Sequence, residues 1–288
     1  MTISPTPFRL LAAVGLACAV ATSAFAAEEG GAHIERQPWP FAGVTGQFDK
    51  AQLQRGFQVY TEVCANCHEL KRVYYRNLAQ PGGPEFPTDA VAALAASAQV
   101  EDGPNDDGKM IQRPGRLSDP LPRKYKNEQE ARSIHNGAYP PDLSLMARAR
   151  NVENEASWYV LPFLMLRDIA IAYQEGGADY LHALLTSYRD APANVKVGEG
   201  LYYNAAFPGH QIAMPNPFAG GDGQVTYQDG TPSTVDNYSR DVSAFLSWTA
   251  DIRLNDRKQL GWVVLVYLLV TAVLLYIGKK RIWAKIDH

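Results

Sequence analysis

The spacing of apolar residues predicts two amphipathic helices, one early and one late in the chain. In the first, apolar positions recur at i, i+3, i+4, i+7 and i+11: Leu53, Gly56, Phe57, Tyr60 and Cys64. The second has its large apolar residues on one side: Val242, Phe245, Leu246 and Trp248. Such spacing is typical of helices that bury one face against a core. Ser239 or Asp236 is a candidate N-cap for the second helix.

A longer apolar run near the C-terminus predicts a helix of a different kind. The run from Leu260 to Gly278 contains no charged residue. At about 1.5 Å per residue it nearly matches the hydrocarbon core of a bilayer. Aromatic residues lie towards its ends and basic residues follow it: Trp262, Tyr267, Tyr276, Lys279, Lys280, Arg281 and Lys285. Because the run has no amphipathic face, we expect a transmembrane helix rather than a buried core helix.

The first 26 residues have the pattern of a secretory signal peptide. Arg9 precedes an apolar run from Leu10 to Ala21, which at about 12 residues is too short to span a bilayer. The small residues Ala24 and Ala26 then form a cleavage site. We expect cleavage after Ala26 and export of the region that follows.

These segments divide the chain into four expected parts. They are a signal peptide at residues 1–26, an exported domain at 27–256, a transmembrane anchor with basic flanks at 257–281, and a cytoplasmic tail at 282–288. Basic residues flank both ends of the span, so the signal peptide decides the orientation. The chain contains 19 Pro and 23 Gly, which indicates much irregular loop. We therefore expect a mainly α fold with long irregular loops.

Cysteine chemistry is concentrated in one pentapeptide, Cys64-Ala65-Asn66-Cys67-His68. The third cysteine, Cys18, lies within the signal peptide. A zinc site would need about four ligands, and no second Cys pair or paired His follows. A thioredoxin-like redox pair would need a βαβ setting, whereas the preceding residues have a helical pattern.

C-x-x-C-H is the attachment sequence of c-type haem. Both thiols bond to the vinyl groups of the porphyrin, and the adjacent imidazole ligates the iron. Because the chain has an export signal and no other cysteine after residue 26, the haem interpretation is favoured over a redox pair. We therefore expect one haem c, attached by Cys64 and Cys67 and ligated by His68.

The second iron ligand is expected on a late loop. The candidates in the exported domain are four histidines and four methionines: His33, His135, His182, His210, Met110, Met146, Met165 and Met214. Residues 207–221, FPGHQIAMPNPFAGG, form a Pro- and Gly-punctuated loop before the late amphipathic helix. In the class I cytochrome c-like fold, the distal ligand lies on such a loop. Met214 is therefore the first candidate for the second iron ligand. His210 is the reserve and would give a bis-histidine haem of lower potential.

Several segments together resemble the cytochrome c1 family, the haem subunits of cytochrome bc1 complexes. Residues 55–78, RGFQVYTEVCANCHELKRVYYRNL, are similar to the family's haem-binding segment. Further segments are similar in the same order, ahead of a single C-terminal span: DGPNDDGKMIQRPGRLSD, NGAYPPDLSLMARAR, GLYYNAAFPGHQIAMPNP and DGTPSTVDNYSRDVSAFLSWTADIRLNDRKQLG. The resemblance covers nearly the whole chain after residue 26.

The resemblance implies six site residues. Two carry thioether bonds, two ligate iron and two lie at a haem propionate, in this order: Cys64 and Cys67, His68 and Met214, Arg150 and Tyr180. A buried propionate needs a cation or hydrogen-bond donors. Residue chemistry alone does not separate Arg148 from Arg150 in this role.

The resemblance also implies a function and partners. Quinol would be oxidised at partner subunits that include cytochrome b, a Rieske iron-sulfur protein would deliver one electron to this haem, and a soluble or membrane-anchored cytochrome c would remove it. The chain would be a subunit of quinol–cytochrome c reductase with no acid-base pair or nucleophile of its own. It would lie in a bacterial inner membrane, with the haem domain in the periplasm. A free-standing membrane-anchored cytochrome c and a sensor haem are the alternatives.

Residues 151–176 depart from the family pattern and look like an insertion relative to compact mitochondrial members. Their helically spaced apolar residues predict a helix packed on its own domain: Leu161, Leu164, Met165, Ile169 and Ala172. The position of Tyr180 depends on this insertion, because it follows directly.

The expected exported domain is acidic. From Ala27 to Asp256 there are 20 Lys and Arg against 29 Asp and Glu, a net charge of about −9. The densest acidic cluster contains Glu101, Asp102, Asp106 and Asp107. A basic redox partner fits this charge, and nucleic acid does not.

Overall fold

Helices make up most of the regular structure in the computed structural model, which describes residues 34–152 and 156–284. The helices are α1 (Lys50–Glu62), α2 (Thr88–Ser97), α3 (Glu128–Ile134), α4 (Met146–Ala149), α5 (Leu161–Ala170), α6 (Gly176–Thr186), α7 (Val235–Ala250) and α8 (Leu254–Trp283). Two 3-10 turns, Cys64–Asn66 and Tyr75–Ala79, follow α1. The predicted signal peptide and the ligand candidate His33 lie outside the described residues.

The described strands form two short antiparallel pairs. One pair joins β1 (Gln99–Asp102) to β2 (Ile111–Pro114). The other joins β3 (Tyr202–Tyr203) to β4 (Gln211–Ile212). Long irregular segments connect the helices, so the predicted mainly α fold with irregular loops is confirmed.

Helices α1 and α7 cross at the centre of the core. At Gly56 a Cβ atom would lie 2.2 Å from the Asp241 carbonyl oxygen and 2.6 Å from the Phe245 Cβ, so the two helices touch through backbone. Phe245 and Trp248 are fully buried on α7. Burial of such a side chain contributes about 1.5–3 kcal/mol. The two amphipathic stripes predicted from the sequence are therefore confirmed as the two sides of one contact.

The N-cap of α7 differs from the prediction. The helix begins after Thr234, which has an extended backbone. The Thr234 hydroxyl accepts a hydrogen bond from the backbone amide of Asn237. Asp236 lies instead in the first turn, where its negative charge interacts favourably with the helix dipole. Ser239 is fully buried inside the helix. The predicted caps were wrong by two and five residues, because Thr234, whose side chain can also cap a helix, comes earlier in the chain.

Helix α6 packs against both α4 and α7, and its Asp179 binds the segment that precedes α1. The Asp179 carboxylate accepts hydrogen bonds from the Trp39 indole (2.7 Å) and from the backbone amide of Gln37 (2.9 Å). Asp179 is buried, so these bonds satisfy a carboxylate that would otherwise be costly to desolvate. The contact ties the segment before α1 to α6.

Helix α8 contains the predicted span from Leu260 to Gly278 and extends it in both directions. Its 30 residues correspond to about 45 Å. Among the described residues it is the one helix long and apolar enough to cross a membrane, and its apolar side chains are exposed. Its first residues, Leu254 and Asn255, are buried in the domain.

The helix predicted within residues 151–176 forms as α5, but its packing differs from the prediction. Leu161 and Leu164 are partly buried against the domain. Met165 and Ile169 are 64% and 72% exposed, and no residue of α5 is fully buried. The prediction that these residues share one packed face was wrong. Spacing identifies an apolar arc, but it does not say which neighbour covers it.

Candidate functional site

The two thiols lie on a tight turn at the end of α1. The amides of Cys67 and His68 both donate to the Cys64 carbonyl oxygen, at 3.1 and 2.9 Å. Burial, and then the neighbouring Cys67, raise the pKa of the Cys64 thiol to about 12. A reactive redox cysteine has a lowered pKa, so the raised pKa of Cys64 does not favour a thiol–disulfide catalyst.

The His68 imidazole is held by a backbone carbonyl. Its Nδ1 lies 2.8 Å from the Pro141 oxygen, which can only accept, so Nδ1 carries the proton. Burial lowers the pKa of His68, although the bond to Pro141 opposes the shift. The ring is therefore neutral at pH 7 and keeps the Nε2 lone pair, the arrangement found in metal-ligating histidines.

Residues 69–72 pair along the segment 141–144, which fixes the position of His68. The Leu143 amide donates to the Glu69 carbonyl (2.9 Å), and the Arg72 amide donates to the Ser144 hydroxyl (3.0 Å). The Tyr60 hydroxyl on α1 donates to the His68 carbonyl (3.3 Å). The histidine thus rests between α1 and a rigid Pro-Pro segment.

The buried Glu69 carboxylate, next to His68 in the chain, fixes the same segment through further bonds. It accepts hydrogen bonds from the amides of Lys124 (2.7 Å) and Tyr125 (3.0 Å) and pairs with Lys71 (3.0 Å). Burial would raise the pKa of Glu69, but these bonds prevail and hold it below its usual value. The carboxylate is therefore charged and structural at pH 7.

The loop that contains Met214 is fixed by two polar residues. The Tyr188 hydroxyl, just beyond α6, donates to the Met214 carbonyl at 3.0 Å. Asn204 is fully buried; its amide group donates to the Leu184 carbonyl (2.7 Å) and its oxygen accepts from the Ala206 amide (3.0 Å). Met214 itself is partly buried against the core. The loop therefore presents a thioether on a backbone that is tied to α6.

Most other candidate ligands have other roles or lie in solvent. His182 bonds to Asp236 (2.9 Å), and His135 bonds to the Tyr125 hydroxyl (2.6 Å). Met110 and Met165 are 55% and 64% exposed. Three candidates from the described residues lie against the core or in the late loop: Met146, Met214 and His210.

His210 takes part in the turn of its own loop. Its backbone φ is +59°, and its Nδ1 lies 3.1 Å from the Ala205 carbonyl. Its ring packs against Tyr203 at a centroid distance of 5.9 Å. These contacts give His210 a local structural role in shaping the loop around Met214.

Arg148 and Arg150, which residue chemistry alone could not tell apart, differ in their contacts. Arg148 donates to the Asp251 carboxylate at 2.7 Å, so its charge is already paired. Arg150 ends α4 and is exposed, with no side-chain hydrogen bond or ion pair to the described residues. Tyr180 is buried on α6, close enough to Tyr188 to raise the pKa of Tyr188, an effect second to that of burial.

Sequence reasoning missed the residues that position the site through the backbone. They are Pro141, Glu69, Ser144, Tyr188 and Asn204. The Pro-Pro-Asp-Leu-Ser segment was a signal, since Asp142 and Ser144 are typical of a polar turn that bonds to neighbouring amides. Which carbonyl His68 would meet could not be found from spacing.

The donor set fits haem better than the alternatives. Among the described residues, no three His, Cys, Asp or Glu side chains form a group that could hold a metal ion. The thiols lie beyond a helix and not in a βαβ unit. Two adjacent thiols, a neutral imidazole with one free nitrogen and a tethered thioether loop are what a c-type haem requires.

A chain with this donor set, packed helices α1 and α7 and one apolar span is of the class of membrane-anchored c-type cytochromes. The Cytochrome C1 family model matches residues 39–286. The chain belongs to the cytochrome c1 family. Members are electron-transfer haem subunits of the bc1 complex and carry one covalently attached haem c.

Members of the family from bacteria and plants are similar in sequence to most of this chain. Cytochrome c1 of Blastochloris viridis is 46% identical over 278 residues, which cover 96% of this chain and 95% of that protein. Cytochrome c1-2, heme protein, mitochondrial, of Solanum tuberosum is 43% identical and covers 83% and 82%. Cytochrome b/c1 of Bradyrhizobium diazoefficiens is 47% identical over 90% of this chain, and the match spans 36% of that longer protein.

Proposed function

We propose that this chain is the cytochrome c1 subunit that accepts one electron from a Rieske iron-sulfur protein and passes it to a soluble or membrane-anchored cytochrome c. When bound, the haem supplies a centre that gains and loses one electron without opening a coordination site. The observation that carries the proposal is the His68–Pro141 bond, which leaves one imidazole nitrogen free beside two thiols.

Four residues would hold the haem and its iron. Cys64 and Cys67 would form the thioether bonds, and His68 and Met214 would ligate the iron. The tied backbone at Met214 supports this choice, because a preorganised loop holds the thioether without further ordering. We propose that Arg150, an exposed cation at the end of α4 that pairs with none of the described side chains, neutralises a propionate and that Tyr180 lies near it.

The topology follows the same proposal. Residues 1–26 would be removed, residues 27–256 would form a class I cytochrome c-like domain in the periplasm, and residues 257–281 would anchor it in the inner membrane with residues 282–288 in the cytoplasm. Cytochrome b would be a partner in that membrane. The relative named cytochrome b/c1 supports this pairing, since its name joins the two proteins.

The test separates the electron donor from the rest of the complex. Complex purified in mild detergent should contain b-type haem and an iron-sulfur protein, and quinol should reduce the c-type haem. After removal of the iron-sulfur protein, quinol should still reduce the b-type haem and no longer the c-type haem. Adding the protein back is the control. Unchanged reduction of the c-type haem without it would refute this donor.

Acid-acetone extraction should leave the haem on the polypeptide. The two thiols lie on one turn, in which the Cys67 backbone amide donates to the Cys64 carbonyl, so both would be available to the vinyl groups of one porphyrin. Denatured protein should run with the haem in a peroxidase-stained gel, and a Cys64→Ser/Cys67→Ser variant should release it. Haem extracted from the wild type would disprove the thioether bonds.

Changing Tyr188 to Phe should lower the haem potential by on the order of 10–40 mV. The variant removes one hydrogen bond to the ligand loop, worth about 1 kcal/mol, and 59 mV corresponds to a tenfold change for one electron. Potentiometric titration measures the shift. Tyr173→Phe is the control, because its hydroxyl bonds to Asp179 away from this loop. A potential equal to that of the wild type would remove Tyr188 from this role.

The acidic cluster lies on the β1–β2 hairpin, and one of its members is already paired. Asp102 binds Arg113, which also binds Asp119 at 2.6 Å. Arg113 holds the pKa of Asp102 below its usual range. Glu101, Asp106 and Asp107 are exposed. They are the carboxylates that we propose attract a basic cytochrome c.

Neutralising these three carboxylates should slow electron transfer to a basic cytochrome c at low salt. Opposite charge patches raise encounter rates by roughly 10 to 1,000-fold, and a Debye length of about 10 Å at 0.1 M screens them. The second-order rate is measured against ionic strength for wild type and Glu101→Gln/Asp106→Asn/Asp107→Asn. Asp256→Asn at the membrane end is the control. If rate and salt slope stay the same in the triple variant, the docking surface lies elsewhere.

A further inference from the structure

Helix α5 and the residues before it expose large apolar side chains that the domain does not cover. Trp158, Phe163 and Ile169 are 82%, 72% and 72% exposed. Met165, Leu166 and Ile171 are more than half exposed as well. Soluble surfaces carry single exposed apolar residues, but a contiguous group of this size indicates a contact.

One edge of α5 faces the domain and the rest faces outward. Leu161, Leu164 and Asp168 are partly buried at i, i+3 and i+7. Arg36 holds this edge by donating to both Asp168 oxygens at 3.0 Å. At 3.6 residues per turn, the outward apolar arc from Met165 to Phe163 covers about 160° of the helix.

The outward arc is almost free of charge. The exposed charged residue on α5 is Arg167, and its guanidinium lies 2.9 Å from Asp168 at the domain edge. Trp158 and Tyr159 precede the helix and pack edge to face at a centroid distance of 6.0 Å. Exposed Trp and Tyr rings beside an apolar arc are typical of segments that lie at the headgroup level of a bilayer.

The end of α5 lies beside the base of the membrane span. The Ile171 carbonyl is 3.8 Å from the position of a Cβ atom at Gly43. The same loop receives Lys258 of α8, whose ammonium donates to the carbonyls of Phe41 (2.7 Å) and Gly46 (3.0 Å). Lys258 comes two residues before the uncharged run begins at Leu260. Both elements therefore touch one loop at the membrane end of the domain.

We propose that the outward face of α5, with Trp158 and Tyr159, docks on the lipid surface next to the span. A broad apolar arc with few charges and exposed aromatic rings is the pattern of an interfacial helix. Contact with the loop that holds Lys258 brings the helix to the height of the bilayer surface. The proposal depends on the membrane span and not on the electron donor or acceptor.

A nitroxide label at Leu166 tests the contact in the intact complex in lipid nanodiscs. The Leu166→Cys variant offers one free thiol, because Cys64 and Cys67 are expected in thioether bonds. Collision rates with oxygen, which partitions into lipid, and with a water-soluble nickel chelate are measured by electron paramagnetic resonance. We expect a higher oxygen-to-nickel ratio at Leu166 than at the control label Met110→Cys, which lies on the exposed hairpin segment.

Two outcomes would overturn the proposal. A nickel-accessible Leu166 label, equal to the Met110 label, would mean that the face lies in water. A label shielded from both reagents in the complex, but nickel-accessible in the separated chain in nanodiscs, would mean that a partner subunit covers it. An unchanged haem spectrum confirms that each labelled protein is folded, and Ile169→Cys gives a second position on the same arc.

Discussion

Replacing Met214 by Leu should abolish the weak sulfur-to-iron absorption band at the red end of the spectrum and lower the haem potential by on the order of a few hundred millivolts. Axial ligands tune haem potentials over roughly 0.8 V, and a thioether favours ferrous iron. Leu has nearly the volume of Met. The Tyr188 bond goes to the Met214 carbonyl and survives the change, so the loss reports on the sulfur alone.

Optical spectroscopy of the oxidised protein and potentiometric titration measure this effect. Met110→Leu is the matched control, because Met110 is 55% exposed on the hairpin segment, and it should leave both readings unchanged. If Met214→Leu keeps the band and the potential, Met214 is not the ligand. His210→Gln would then be expected to change the spectrum, since His210 is the other donor in the same loop.

Replacing Gly56 by Ala should lower the melting temperature by roughly 2–12 °C and reduce the yield of haem-bound protein. The added Cβ would lie 2.2 Å from the Asp241 carbonyl oxygen, so α1 and α7 must separate. Overpacking of this kind costs about 1–3 kcal/mol, and 1 kcal/mol shifts the melting temperature by about 2–4 °C in a domain of this size. Because α1 leads directly to Cys64, its displacement also disturbs attachment.

Thermal unfolding followed by haem absorbance measures the change. Gly261→Ala is the matched control, since no described atom beyond its own helix turn and chain neighbours lies within 4 Å of a Cβ at Gly261, and the position is also helical. The control should melt with the wild type. A Gly56→Ala protein that also melts with the wild type would mean that the helices adjust without loss, and the crossing would not depend on glycine.

Periodicity and one motif were enough to predict the helices that define the domain. The stripes around Phe57 and Phe245 identified the faces of α1 and α7, because a two-helix contact buries one face of each. The uncharged run identified α8. The pentapeptide ending in His68 identified the cofactor class, since few other sites use that spacing.

Interactions with the backbone could not be predicted in the same way. The Pro141 carbonyl carries no side-chain signature, so the sequence does not say that it meets His68. The choice between Arg148 and Arg150 rests on Asp251, a residue about 100 positions later in the chain. The covering of α5 is a property of its neighbours and not of its own pattern. These features depend on tertiary contacts between distant segments.

The short junction between α7 and α8 holds the domain in one orientation relative to its long apolar helix. Asp251 receives both Arg148 (2.7 Å) and Arg257 (2.6 Å), and Lys258 is clasped by two carbonyls of the loop 41–46. The domain therefore cannot swivel on its anchor without breaking several bonds. In the function proposed above, any change in the distance that an electron travels would therefore come from movement of the partners relative to this domain.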